Sequence, residues 1–222
     1  MSTLVGTIHY WLFNKIKIVE DRERFILEEF AGRYGAKPYS LGKELQEKYA
    51  PYFDDAPLEK LIGNNSIHAF LARTIGTVET REAAVIKALM DSYGSQAGPL
   101  LLDAAYRHGG KNGKSAREEY SSSNPVPDEV YRVLRNYILD GMPCDHVVEV
   151  NQDSDRLVIE RHADCLHRVH WQNAGMTEEF MCDYHCRWID GFVDSFSPTI
   201  KHSRTKSIAR GDPNCEDVFK KE

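Results

Sequence analysis

The chain has 222 residues, of which 41% are hydrophobic and 28% charged, a composition typical of a globular protein. Its formal net charge is −6 and its basic clusters are short, which argues against a partner held through a phosphate backbone. No run approaches the roughly 20 apolar residues that span a bilayer, and the N-terminal segment lacks the features of a signal peptide. We therefore predict a cytoplasmic protein without a nucleic-acid or membrane partner.

The first half of the sequence is predicted to be helical. Apolar residues recur at three- and four-residue spacing between Tyr10 and Phe30, the pattern of an amphipathic helix, and Gly35 ends it. Prolines within 37–62 indicate short helices and loops. A second long helix is predicted to begin after Thr80, its N-cap, and a third contains PLLLDAAYRH, residues 99–108.

The segment 109–126 is the most loop-like part of the sequence, because it contains three glycines, three consecutive serines and a proline. We interpret it as a connector, with a mobile lid as the alternative. Pro127 then opens a helix that is predicted to run through Leu139. Two short β-branched runs, 146–150 and 156–162, flank a polar turn and predict an antiparallel hairpin.

The remaining elements complete an α+β fold. A helix is predicted from about Glu178 to Ser195, a strand within 199–209, and a last strand at 215–219 after the turn GDPN. We expect a single domain, 1–222, in which a helical N-terminal half packs on a small antiparallel sheet formed by the C-terminal half. In it, residues 1–143 are mainly helical, and residues 144–222 carry a hairpin, a helix, the last strands and a Cys/His cluster.

That cluster lies between His162 and Cys215. An odd number of cysteines, five, favours thiols or metal ligands over a disulfide framework in a reducing compartment. Cys182 is followed three and four residues later by His185 and Cys186, so one helix face would present all three side chains. Cys165 and Cys215 would join them if that face met the end of the hairpin and the GDPN turn.

Two chemistries fit the cluster, and a third interpretation involves none. In the first, zinc is bound tetrahedrally and activates a water in an open position. The candidate ligands are Cys165, Cys182, His185, Cys186 and Cys215. In the interpretation without chemistry, the cysteines are small buried side chains that only pack.

In the second chemistry, one cysteine is a nucleophile. It would be activated by His185 or His162 and oriented by Asp183 or Asp164. Asp212 is most simply a turn residue that binds its own backbone. His167 and His170 are close enough in sequence to join a site, but we place them at the surface.

The sequence from Cys182 onward resembles the C-terminal signature of the L-2-amino-thiazoline-4-carboxylic acid hydrolase-like proteins, which are related to the small-molecule-binding vinyl-reductase-type (4VR) domains. The matching residues are Cys165, Cys182, Thr205, Ser207, Ile208, Gly211, Asp212 and Cys215. The resemblance covers the last two-thirds of the chain, and its specific part is the final 60 residues. The chain departs from the pattern at His185, where the family commonly has an acidic residue, and Cys186 is an addition.

The resemblance implies a hydrolase that acts on a carbon–nitrogen bond, C=N or amidine-like, in a small heterocycle. In that interpretation Cys165, Cys182 and Cys215 form the reactive or metal-binding core, His185 is a ligand or general base, and Asp212 orients a partner. The alternative is a non-catalytic small-molecule-binding module with a structural zinc site. A homo-oligomer contact through the first helix is a further alternative to a core face.

Overall fold

The computed structural model describes residues 5–53, 56–120, 123–145, 148–152, 155–161 and 164–222. Its helices are α1 (Thr7–Tyr34), α2 (Lys37–Lys48), α3 (Leu58–Ile62), α4 (Ile67–Tyr93), α5 (Ala97–Glu119), α6 (Pro127–Leu134), α7 (Arg168–Asn173) and α8 (Glu178–Phe196). Its strands are β1 (Val148–Gln152), β2 (Arg156–Arg161), β3 (Ile200–Lys206) and β4 (Cys215–Lys221). The predicted α+β class, with a helical first half and a small antiparallel sheet, is confirmed.

Two predicted helix boundaries are wrong, one because the helix begins earlier and one because it ends earlier. Helix α4 begins at Ile67, so Thr80 lies in its interior and not at its N-cap. Helix α6 ends at Leu134, and a turn at 135–137 follows it. Beyond that turn, Ile138 joins the larger hydrophobic cluster and Leu139 the smaller one.

The loop predicted at 109–126 is also wrong over most of its length, since α5 continues to Glu119. Its glycines let α5 and α8 meet backbone to backbone. A Cβ on Gly109 would lie 2.0 Å from the carbonyl oxygen of Trp188, and one on Gly113 would lie 2.2 Å from that of Phe192. Glycine was therefore a packing signal here and not a turn signal. Residues 121 and 122 of this segment lie outside the described residues.

The four strands form one antiparallel sheet in the order β1-β2-β4-β3. The predicted hairpin is therefore present as β1 and β2, although 153 and 154 in its turn lie outside the described part. One sheet face is apolar and packs against α6 and α8: Leu157, Ile159, Ile200 and Phe219 are each at most 1% exposed. On β3, Arg204 is paired directly with Asp217 of β4, and a register shift follows it.

The helical half buries charged side chains as pairs. Arg22 of α1 donates to Glu82 of α4 at 2.6 and 2.7 Å, and the Tyr184 hydroxyl of α8 donates to the same carboxylate at 3.0 Å. Buried charges require such partners because water is excluded. None of the described helices combines the length and apolar character that crossing a bilayer requires.

Candidate active site

A cavity of about 770 Å³, open to solvent, lies where α8, the segment before α7 and the ends of β3 and β4 meet. Cysteine and histidine side chains from α8, from the segment before α7 and from β4 line it, namely Cys165, His167, Cys182, His185 and Cys215, and β3 contributes Arg204. Its apolar wall is formed by Ile138, Leu166, Trp171, Ile208 and Ala209. Four of the sequence-predicted site residues therefore line one cavity, Cys186 does not, and the chemical roles of all of them stay predictions.

The sulfur of Cys182 receives polar contacts from three sides. It lies 3.3 Å from Ser207 Oγ and 3.5 Å from Arg204 Nη1, and Cys186 one helical turn later donates a hydrogen bond to it. The Cys186 thiol, the charge of Arg204 and the Ser207 hydroxyl together outweigh burial and lower the pKa of Cys182 to about 5. At neutral pH this side chain is a thiolate, the reactive form of cysteine.

Asp217, which is 1% exposed, binds the guanidinium of Arg204 on the side away from the Cys182 sulfur. The carboxylate accepts hydrogen bonds from Arg204 Nε at 2.8 Å and Nη2 at 3.0 Å, and it also pairs with Arg161. Although burial favours the neutral acid, the charges of Arg204 and Arg161 hold the pKa of Asp217 well below its usual range. The ion pair therefore holds one guanidinium against the Cys182 sulfur.

Asp212 does not line the cavity, but it binds the backbone of Ser207, which does. Its Oδ2 accepts a hydrogen bond from the Ser207 backbone N–H at 2.7 Å, within the turn where Gly211 has φ +93°. It is thus a turn residue and, through Ser207, a group that orients a contact to Cys182. Cys215 begins β4, and its sulfur accepts a hydrogen bond from the Ile208 N–H at 3.4 Å.

His167 was predicted to lie at the surface, and this is wrong. Its Nδ1 is 3.0 Å from Glu79 Oε2 on α4, and its ring stacks on Trp171 with centroids 5.3 Å apart. Burial disfavours the charged ring, but the charge of Glu79 and its hydrogen bond outweigh it and raise the pKa of His167. The two residues are 88 positions apart in sequence, so no local spacing could have paired them.

The sequence profile of the L-2-amino-thiazoline-4-carboxylic acid hydrolase family matches residues 73–219, which include every residue lining the cavity. The chain belongs to this family. Membership supports a hydrolase-like or small-molecule-binding role. No curated protein matches the chain.

Two solved structures resemble this family member weakly. One comes from a study of heme distortion in the H-NOX family, with 12% identity, 89% of this chain and 92% of that chain covered, and a TM-score of 0.37. The other is an H-NOX protein from S. oneidensis in the Fe(II)NO ligation state, with 14% identity, 92% and 98% covered, and a TM-score of 0.32. Structural similarity at this level carries no information about the function of this chain.

His185 lies between two cavities. It lines the cavity described above and a smaller one of about 290 Å³ that also contains Arg22, Glu82 and Tyr184. Its ring centroid is 4.9 Å from that of His167. Burial, and then the charge of His167, hold the pKa of His185 well below its usual range, so its ring is neutral at physiological pH.

The remaining predicted groups occupy different places. Burial, with the charges of Cys215 and Cys182, raises the pKa of the Cys165 thiol at the cavity wall. Asp164 lines the cavity, whereas Asp183 pairs with Arg210 on the exposed side of α8. His162 lies outside the described residues.

The geometry of the candidate metal ligands gives the zinc prediction little support. Over the described ranges, no group of three or more His, Cys, Asp or Glu side chains is arranged to hold a metal ion. Cys186 is held in its thiol form, since its hydrogen bond to Cys182 and its burial raise its pKa well above the usual range. These groups do not fit a metal as they stand, and zinc binding stays a prediction.

Proposed function

We propose that this member of the L-2-amino-thiazoline-4-carboxylic acid hydrolase family is a small-molecule hydrolase that cleaves a carbon–nitrogen bond, C=N or amidine-like, in a small heterocycle. Cys182 is the nucleophile. The observation that carries the proposal is the position of its sulfur: at the wall of a cavity, with donors from Cys186, Ser207 and Arg204 directed at it.

In the first half of the reaction, the Cys182 thiolate attacks the carbon of the C=N group. The electron pair moves to the nitrogen, which takes a proton from the His167 imidazolium. Glu79 keeps this proton available by stabilising the charged ring, as its 3.0 Å contact supports. The bond from that carbon to the ring nitrogen then breaks: the nitrogen takes a second proton, from solvent, and leaves as an amine, while the lone pair of the other nitrogen of the amidine-like group forms a C=N bond to the carbon. The carbon stays bound to the Cys182 sulfur in a covalent intermediate.

In the second half, water replaces the sulfur. His185 is the matching base because its ring is neutral and faces the same cavity. It accepts the proton of the attacking water, and Cys182 leaves as a thiolate that Arg204 stabilises. Two neighbouring histidines with oppositely shifted pKa values are thus suited to opposite proton transfers.

The other predicted residues have supporting roles in this proposal. Cys165 and Cys215 form part of the wall against which a small ring would pack. Asp212 positions the Ser207 backbone, and thereby the hydroxyl that contacts the Cys182 sulfur. Together with His185, these residues make up the site.

The test uses L-2-amino-thiazoline-4-carboxylate, the compound in the family's name, as substrate. Removing the nucleophile with Cys182→Ser is expected to lower kcat by more than roughly 10³-fold, as removal of a nucleophile does in other hydrolases. Cys144→Ser, at an exposed position, is the matched control and should keep full activity. Circular dichroism would verify that both variants fold.

Mass spectrometry of the quenched reaction separates the mechanisms. A substrate-derived adduct on Cys182 supports the nucleophilic route. Activity that disappears on treatment with a chelator and returns with zinc would replace it with the metal-dependent one. Binding of the compound without turnover would instead favour the non-catalytic small-molecule-binding module.

A further inference from the structure

We propose a second activity for this cavity: Cys182 reduces hydroperoxides, and Cys165 resolves the oxidised sulfur as a disulfide. The proposal goes beyond hydrolysis and does not require it. It depends on two arrangements of the described residues, namely the donors around the Cys182 sulfur and the presence of further thiols on the same wall.

The donors around Cys182 suit a peroxide as well as a heterocycle. When a thiolate attacks a hydroperoxide, negative charge develops on the oxygen that leaves as the O–O bond breaks. Arg204, whose Nη1 lies 3.5 Å from the sulfur, places a fixed positive charge beside that oxygen. Ser207 Oγ, 3.3 Å from the sulfur, supplies a hydroxyl to the same region. The apolar wall admits an alkyl group on the peroxide.

Cys165 is the better placed of the thiols to resolve the oxidised sulfur. It lies within 164–167, outside any helix or strand, and it lines the same cavity as Cys182.

The other two thiols are less suitable partners. Cys215 begins β4, where its sulfur accepts the Ile208 N–H. Cys186 is four residues beyond Cys182 on the same helix, where the two Cβ bonds point in parallel. A disulfide between them would need the helix to distort, since disulfide geometry requires the Cβ vectors to converge.

The chemistry balances with a hydroperoxide as oxidant and a dithiol as reductant. The Cys182 thiolate attacks the terminal oxygen, the S–O bond forms, the O–O bond breaks, and an alkoxide leaves and takes a proton from solvent. Sulfur loses two electrons and becomes a sulfenic acid. The Cys165 thiolate then attacks that sulfur, and hydroxide leaves as the disulfide forms. An external dithiol restores both thiols.

The experiment uses the full reduced chain and hydrogen peroxide, with dithiothreitol present for turnover measurements. After one equivalent of peroxide, digestion with trypsin without reduction is expected to join peptides 162–168 and 169–187, which contain Cys165 and Cys182. Tandem fragmentation distinguishes Cys182 from Cys186 within the second peptide. In Cys165→Ser, Cys182 is expected to remain a sulfenic acid that dimedone traps.

Rates test the role of Arg204. Arg204→Gln removes one of the groups that lower the pKa of Cys182, beside the Cys186 thiol and the Ser207 hydroxyl, so the thiolate fraction at pH 7 and the rate should fall. The fall should not exceed roughly 30-fold, the value for a thiol with the ordinary pKa of roughly 8.5. Arg132→Gln, on the exposed side of α6, is the control and should leave the rate unchanged.

Three results would overturn the proposal: a Cys182 that stays reduced, peroxide consumption that survives in Cys182→Ser, or a disulfide that excludes Cys165. If Cys182→Ser does not fold, the trapping experiment in Cys165→Ser still decides. Because no heterocycle is used, failure here leaves the hydrolase proposal standing, and failure of hydrolysis leaves this one standing.

Discussion

Asp217 holds Arg204 through both of its carboxylate oxygens, and the remaining nitrogen of the same guanidinium lies 3.5 Å from the sulfur of Cys182. A buried carboxylate on β4 thereby determines where a positive charge stands at the end of β3. Because that charge contributes to the low pKa of Cys182, beside the Cys186 thiol, Asp217 influences the reactivity of a cysteine on α8 through Arg204.

Asp217→Asn tests this relationship. The amide keeps the shape of the side chain but not its charge, so Arg204 is held less firmly and the pKa of Cys182 should rise. The pH dependence of Cys182 alkylation by iodoacetamide measures that pKa. Breaking the buried ion pair should also lower the free energy of unfolding by about 3–5 kcal/mol. The exposed Asp103→Asn is the control, and an unshifted alkylation curve would contradict the prediction.

The Cys182 thiolate should make stability depend on pH. Folding lowers the pKa of this thiol from 9.0 to about 5, so its contribution is complete above the unfolded value and is lost as pH falls through the folded one. The difference in unfolding free energy between the wild type and Cys182→Ser should therefore shrink between pH 9 and pH 5. Urea titrations at pH 5, 7 and 9 would measure it, and a constant difference would argue against a thiolate.

Glu79→Gln should move one limb of the pH–rate profile for hydrolysis. Glu79 raises the pKa of His167, and the proposed mechanism needs the charged ring, so activity declines as pH rises through that pKa. Without the carboxylate, the declining limb should shift to lower pH. The dependence of kcat/KM on pH reports it. Glu29→Gln, in a pair on the surface with Arg107, should leave the profile unchanged.

Gly113→Ala should destabilise the protein, because its Cβ would lie 2.2 Å from the carbonyl oxygen of Phe192 and would force α5 and α8 apart. Overpacking of this kind costs about 1–3 kcal/mol. Gly98→Ala is the matched control on the same helix: its Cβ meets Phe180 at an ordinary 3.6 Å, so better helix propensity should stabilise it by up to about 1 kcal/mol. Thermal unfolding of the two variants should shift in opposite directions.

Much of the C-terminal half could be predicted from the sequence because its signals are local. The β-branched runs specify the hairpin, and the three- and four-residue spacing after Cys182 specifies one face of α8. The glycines of α5 carried the opposite meaning from the one predicted. Glycine marks a turn and a close backbone contact equally well, and only the partner helix distinguishes the two.

The missed parts of the site are contacts between elements distant in sequence. Glu79 lies in the middle of α4, where a glutamate is usually exposed, and its pairing with His167 follows only from how α4 and α7 pack. Arg204 and Asp217 had a signal in retrospect, since opposite charges stand directly across from each other in β3 and β4. That signal becomes visible only when the register is known.

The strand order also fixes the sequence of events during synthesis. Because β4 lies between β2 and β3 but follows both along the chain, β3 cannot join the sheet until β4 has left the ribosome. Cys215 and Asp217 arrive on that same strand. A nascent chain that has completed α8 therefore lacks the Asp217 carboxylate that holds Arg204 against the Cys182 sulfur, and this part of the site is completed only by the last strand to be made.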